Sequence, residues 1–535
     1  MAHHLIIRRG LLLANSRQRH HLLVPLVLAL FTFVYRLYLP AVIGDDAYIT
    51  FRYAEHIARG VGFVYNEGER VLGTTTPLFT LILALFRFVF DISPEIASHW
   101  ISAVSDAATV AVLCELGTRL SQDLRLGGFA GLLFSLSPLA IRFSINGMET
   151  AFAVALMLGA LLCYLTHSDW AAGLLAGLAI LTRPEAVLLA LVIAVGVALT
   201  SPSRLVSFAV CLLIVIVPWL CFAYLYFGNP LPNSMVAKSA HIYQWSFHQT
   251  MAMLLSHFAF LFVGYPLSRL ANTAWPGAVS GLGSLAGWLL TIIPASIQGY
   301  LIVIGIQRKI VRQQRAWMIV CFPALYLLSY MLSGIAHVLV FDWYLAPLQP
   351  FYLLLISSGL LSLTRGFFSR FSVPLLCTVL VLCQLAGLRW TAGWLGLPID
   401  ASADRESLYR EIALQYATTF GRESLVAAPE IGALGYFSEA RILDTAGLVS
   451  PIALSYYPIP QDAYAVNYSV PPELIRDTRP QFVVAMEVFI SHGLLQAKWF
   501  RTEYREIDRR YTTAFSGTYL LVFQRVDLLP AAKSK

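Results

Sequence analysis

The segment Gly44-Asp45-Asp46-Ala47-Tyr48-Ile49-Thr50-Phe51-Arg52-Tyr53 sets two carboxylates side by side directly after an apolar run. Adjacent carboxylates repel, which raises the pKa of one and leaves a proton acceptor near neutrality. Such a group is suited to general-base work on a hydroxyl. The expectation is that Asp45 is the base and Asp46 its partner. Capping is the plainer alternative: if a helix begins here, both acids fall at its amino-terminal end, where free amides and the positive dipole end favour them. For an isolated acidic pair, capping is the commoner role, so the surrounding residues must decide.

The elements that would position this pair are membrane helices. Of the 535 residues 58% are apolar and 13% charged, and the mean hydropathy is +0.69, far from a soluble average. Apolar runs long enough to cross a hydrocarbon core of about 30 Å recur over roughly the first 390 residues. They predict about eleven spans, near 22–40, 97–118, 127–144, 150–166, 170–182, 185–200, 206–226, 285–306, 317–333, 345–363 and 372–392. The first follows Arg8, Arg9, Arg17 and Arg19 and lacks a small-residue cleavage site, so it reads as an uncleaved span.

Placing the amino terminus in the cytoplasm puts Arg119 with Arg125, Arg204, Arg308 to Arg315, and Arg365 with Arg370 there too. The loop of about 44–94, the segment of about 228–283 and the carboxy-terminal region then lie outside. The short apolar stretch Pro77 to Phe90 fits an interfacial helix better than a span, and Met251 to Tyr265 invites the same reading. Thr182-Arg183-Pro184-Glu185 separates two predicted spans, and charge there is tolerable only at a surface or cavity. The formal charge of +7 sits in clusters at the ends of apolar runs, which excludes a nucleic-acid partner. All seven cysteines fall in or beside spans, so no disulfide framework is expected.

A resemblance rests on several motifs in order. The first is the acidic segment itself, followed by Gly60-Val61-Gly62-Phe63-Val64-Tyr65-Asn66-Glu67-Gly68-Glu69-Arg70 and Gly73-Thr74-Thr75-Thr76-Pro77-Leu78. Then come Asn146-Gly147-Met148-Glu149-Thr150, Leu181-Thr182-Arg183-Pro184-Glu185, Tyr226-Phe227-Gly228-Asn229-Pro230-Leu231-Pro232-Asn233-Ser234 with Ala237-Lys238, and Asp342-Trp343-Tyr344. From about residue 44 to 350 the chain resembles GT-C glycosyltransferases, specifically those akin to mycobacterial terminal arabinofuranosyltransferases. It departs from their usual pattern at Leu72-Gly73-Thr74 and at Phe79.

The resemblance implies a GT-C-like helical membrane fold, a polyprenyl-phosphate sugar donor with arabinofuranose as one candidate sugar, and a cell-envelope glycan as acceptor, all at the outer face of the bilayer. Asp45 and Asp46 would be catalytic; Arg52, Tyr53, Glu149, Arg183, Glu185, Lys238 and Trp343 would bind substrate. A leaving phosphate needs cations, and Arg52, Arg183 and Lys238 are suited to it. Each has an ordinary role as well: Arg183 paired with Glu185, Lys238 as a headgroup-layer charge, Glu149 bonded to a neighbouring helix. Asp45, Asp46 and Glu149 are hard oxygen ligands of the kind magnesium, manganese or calcium take. No residue is assigned to a metal, no cofactor is certain, and His56, His99, His241 and His337 lack ligand spacing.

From about residue 396 charge, Pro and Gly return at ordinary density, so 396–535 is expected to be a separate small α/β domain beside a 1–395 membrane domain. A helix is predicted over 404–420, strands at Leu425 to Ala428, Arg441 to Asp444, Phe482 to Met486 and Tyr519 to Phe523, and helical stretches at Pro472 to Asp477 and Leu494 to Phe500. The glycines of Pro429 to Tyr436 and of Asp444 to Leu448 read as turn positions. Three other functions compete: a flippase for lipid-linked sugars, a protein O-mannosyltransferase-like enzyme, and a structural assembly subunit. Transporters commonly carry internal repeats and mid-membrane charge. No repeat is evident here, and the polar residues gather at one face.

Overall fold

The computed structural model describes residues 22–240, 242–260, 296–307, 316–336, 338–363, 401–512 and 518–528, with a few single positions between them. Most of the expected span at 372–392, half of the one at 285–306, His241, His337 and the basic clusters at 308–315 and 365–370 lie outside the described residues.

The described amino-terminal part is helical. Four helices are long and apolar enough to cross a membrane: Pro94–Ser121, Pro202–Phe227, Met318–Ile335 and Trp343–Ser362. A fifth span arises if Leu124–Leu136 and Pro138–Ile145 are taken together across their 55° bend. The expectation of about eleven is therefore not matched among the described residues. Thr150–Leu165 and Asp169–Thr182 are helices where spans were expected, but at 16 and 14 residues they are shorter than a hydrocarbon core at 1.5 Å per residue. Proline at the first turn of Pro94–Ser121 and Pro202–Phe227 costs no hydrogen bond, and Gly228, at φ +77°, ends the second.

Pro202–Phe227 buries almost none of its apolar window, as a lipid-facing wall helix does. Its packed side meets the Asp169–Thr182 helix where Gly173 and Gly177 let the two backbones approach. Deeper in the bundle Arg36 and Asp106 form an ion pair at 2.6 Å, both buried, and Arg36 also donates to the Ser135 carbonyl at 2.9 Å.

Residues 401–528 carry a five-stranded sheet: β1 (Leu425–Ala428), β2 (Arg441–Asp444), β3 (Phe482–Met486), β4 (Tyr504–Thr512) and β5 (Thr518–Arg525), in the order β2-β1-β3-β5-β4. β1 runs parallel to β2 and β3, while β5 is antiparallel to β3 and β4. β3 is buried along its whole length, as its unbroken apolar run requires. The predicted long helix breaks into Ala401–Gln415 and Ala417–Phe420. Two elements were not anticipated. β4 is a charged edge strand whose sequence shows no apolar face, and Gly432–Ser438, read as a turn, is a short helix. Its Gly432 and Gly435 serve close approach, whereas Gly447 does adopt a positive φ of 81°.

Candidate functional site

The acidic pair opens the helix Asp45–Ala58, which lies between the membrane bundle and the sheet domain. Before it, the Gly44 amide donates to the Asn146 carbonyl at 3.1 Å, and the Val42 amide to that of Ile145 at 2.9 Å, so the approach to the pair is fixed by the Asn146-Gly147-Met148 turn.

The two aspartates then part company. Asp45 accepts from the backbone amides of Gly432 and Ala433, at 2.9 and 2.8 Å, one to each oxygen. It thus caps a helix 387 residues away in sequence, with no cap bond in its own helix. Asp45 was expected to be the free base; both of its oxygens are occupied instead. Asp46, one residue on, has no hydrogen-bond partner among the described residues and stays open to solvent-accessible space. Protein surrounds that space. Loss of bulk water, reinforced by Asp45, lifts the Asp46 carboxyl above the ordinary range against the opposing charges of Lys238 and Arg405.

Lys238 stands on the short helix Asn233–Ser239. It donates to the Tyr344 hydroxyl and lies 4.9 Å from the centre of that ring and 5.8 Å from that of Phe341. Desolvation works to discharge it, but Tyr344, Asp46 and Glu185 outweigh that cost and hold the ammonium charged beyond its ordinary range. Tyr344 in turn stacks on Tyr330, whose hydroxyl donates to Glu185 at 3.2 Å. Trp343 is half-buried and stacks on Phe341 with ring centres 4.3 Å apart.

Behind Tyr344 sits Arg183, buried, with Nη1 to Glu149 and Nη2 to Glu185, both at 3.1 Å. Its guanidinium lies 5.4 Å from the Tyr344 ring centre, and its Nε is buried without a partner. Glu149 and Glu185 thus hold Arg183 from two sides.

Arg52 and Tyr53, expected to bind substrate, both bond backbone groups. Arg52 is buried and donates to three carbonyls: Tyr65 at 2.8 Å, Gly435 at 2.5 Å and Ala440 at 2.7 Å. Three of its five N–H donors are thereby taken by backbone carbonyls. Tyr53 is fully buried, its hydroxyl donating to the Val71 carbonyl at 2.6 Å and accepting from the Gly73 amide at 2.9 Å. Both hold the segment of residues 65–73 in shape. Sequence reasoning quoted Tyr344 within a motif but gave it no role; it passed over Tyr330, since a single aromatic in a chain with 25 tyrosines carries no signal, and Arg405, which bridges Glu406 and Glu430 at 2.6 Å each beside Asp45.

Asp45 and Glu149 are committed to amides and to Arg183, and among the described residues no three His, Cys, Asp or Glu side chains gather closely enough to hold a metal ion. Asp46 thus remains an exposed carboxylate within electrostatic reach of Lys238, whose ammonium lies against the Tyr344 and Phe341 rings.

Residues 400–524 match a family described only as a domain of unknown function, DUF8728. A terminal β-(1→2)-arabinofuranosyltransferase of Corynebacterium glutamicum is 26% identical over 234 residues, 38% of this chain and 34% of the relative, so the match spans about a third of that relative's length. Among solved structures, ArnT from Cupriavidus metallidurans bound to undecaprenyl phosphate superposes with a TM-score of 0.56 at 14% identity, covering 95% of this chain and 98% of ArnT. The apo form of the same protein gives 0.57 at 13% identity, over 96% and 99%. At such identities the likeness speaks for the fold. The chain has the fold of ArnT, with a local sequence likeness to a terminal arabinofuranosyltransferase.

Proposed function

We propose that this protein is a membrane glycosyltransferase that transfers a sugar from a polyprenyl-phosphate donor to a hydroxyl of a cell-envelope glycan at the outer face, with Asp46 as the general base. Arabinofuranose is the sugar that the local sequence likeness favours. The observation that carries the reading is the exposed Asp46 carboxylate, without a hydrogen-bond partner among the described residues and within electrostatic reach of the Lys238 ammonium. The undecaprenyl phosphate bound by ArnT, a protein of the same fold, supports a lipid-phosphate donor.

Asp46 takes the proton of the acceptor hydroxyl as its oxygen attacks the anomeric carbon. The bond from that carbon to the phosphate oxygen breaks, and the lipid phosphate leaves with the added charge. Lys238 meets that charge, held in place by the Tyr344 hydroxyl and ring. Arg183, fixed between Glu149 and Glu185, braces Tyr344 from behind. Trp343 and Phe341 offer a flat apolar face for a sugar ring.

The test is transfer by purified protein in lipid, using a panel of polyprenyl-phosphate sugars and a glycan acceptor. Asp46→Asn is expected to lose about 10²- to 10⁴-fold in rate while still binding donor. Transfer at the wild-type rate by Asp46→Asn would remove the proposed base, and movement of lipid-linked sugar without bond cleavage would favour a flippase.

A further inference from the structure

The sheet domain touches the segments bearing Asp46 and Lys238 at residues very close to each. On one side Asp45, adjacent to Asp46, is held by the amides of Gly432 and Ala433, and Tyr48, one helix turn along, packs its ring against Tyr436 and Phe437 at 5.4 and 5.3 Å. On the other side Asn233, which opens the short helix carrying Lys238, donates its side-chain amide to the carbonyls of Gly447 at 2.5 Å and Leu448 at 3.2 Å.

The loop offering those carbonyls is itself rigid. Asp444, fully buried, accepts from the amides of Ala446 at 2.9 Å and Val449 at 2.8 Å, while its own amide donates to the Ser450 hydroxyl at 3.0 Å. Four segments meet at this point. The Asn233 amide donates to the Leu72 carbonyl at 2.7 Å, and Tyr53 fixes the neighbouring Val71 and Gly73. A Cβ at Gly73 would lie 2.5 Å from Val449 and 3.1 Å from the Leu448 carbonyl oxygen. A little beyond Lys238, the Gln244 amide donates to the Asn467 carbonyl at 2.8 Å.

We infer that the domain at 401–528, whose family has no described function, is the positioning half of the active site: its two clasps, Asp45 on Gly432–Ala433 and Asn233 on Gly447–Leu448, set the base and the cation against one another. This rests on reading Asp46 and Lys238 as the reacting pair. Asp45, Asn233 and Asp444 are positioning residues. Each membrane-side segment is short and is tied to the domain one to five residues from the group it places, so a loosened clasp displaces that group directly. Displacement of a reacting group by about 1 Å can cost about 10²-fold in rate.

The clasps are separable in the full-length protein in bilayer nanodiscs. Asn233→Ala removes the amide donor and keeps the backbone bond to Leu72. Transfer should fall about 10- to 100-fold, binding of a sugar-free polyprenyl phosphate should weaken, and hydrogen exchange should quicken over 229–240 and not over 42–58. Asp45→Ala should do the converse: transfer falls, phosphate binding holds, and exchange quickens over 42–58. Asn233→Asp, of equal size but presenting an acceptor to two carbonyls, should be worse than the alanine variant. Should Asn233→Ala fail to fold, Asn233→Gln, with the amide one methylene farther out, carries the same measurements. Wild-type phosphate binding together with wild-type exchange over 229–240 would overturn the inference. The exchange readout reports the clasp itself, so it decides this point even where Asp46→Asn shows the assignment of the base to be at fault.

Discussion

Arg52 separates two accounts of the helix Asp45–Ala58. Its guanidinium makes three charge-assisted hydrogen bonds to carbonyls of Tyr65, Gly435 and Ala440 and lies 4.5 Å from the Tyr65 ring centre. Replacement by methionine keeps much of the volume and leaves three buried acceptors without their donor. At about 1–3 kcal/mol for each stranded group the sum is about 3–9 kcal/mol; part of it is recovered as water enters and the segment relaxes, so a loss of about 4 kcal/mol is expected. Two of the three acceptors belong to the sheet domain, so the loss should appear there. For a domain of this size a few degrees of melting temperature accompany each kcal/mol, which makes the expected fall on the order of 10 °C. Thermal unfolding in nanodiscs, with hydrogen exchange over 431–441 as the local readout, measures it. Arg52→Lys should recover only part, because an ammonium cannot span three separated carbonyls. An Arg52→Met protein with wild-type melting and exchange but selectively weakened lipid-phosphate binding would refute this reasoning and restore Arg52 as a substrate ligand.

Two further outcomes follow from the same geometry. Desolvation and Asp45 raise the Asp46 carboxyl while Lys238 lowers it, and a base works only when deprotonated; the acid limb of the kcat/KM profile should therefore lie above the ordinary aspartate value and move to still higher pH in Lys238→Ala, and an unmoved limb would sever the two groups. A Cβ built at Gly432 would overlap the Asp45 carbonyl oxygen, with no flexible side chain to give way, so Gly432→Ala should cost about 1–3 kcal/mol and loosen the domain from the Asp45–Ala58 helix, read as faster proteolysis between the two; unchanged melting and proteolysis would show that the contact is not as close as described.

Much of the architecture could be read from residues alone. The apolar runs announced helices near 97–118, 206–226, 317–333 and 345–363, and the described helices lie there, because a lipid-facing helix has few ways to satisfy its backbone except within itself. Four of the five strands of the tail stood out as apolar, β-branched stretches, while β4 hid because an edge strand with charge on both faces has no period to detect. The count of spans was less secure: 14- and 16-residue apolar helices packed among others have the composition of a span without its length.

The pair Asp45-Asp46 announced an acidic site at the end of a span, and the local chain could say no more than that. Successive residues on a helix point about 100° apart, so two neighbours of identical chemistry face different surroundings, and those are supplied by Gly432 and Ala433 on one side and Lys238 on the other. The same holds for Arg52 and Lys238. Both are cations near an outer surface in sequence; only packing across gaps of up to 388 residues commits one to backbone carbonyls and leaves the other facing the open carboxylate. Residue type and spacing determined which groups were available. The tertiary fold decided which of them remained unsatisfied, since a charged side chain can do chemistry only where its neighbours have not already taken its hydrogen bonds.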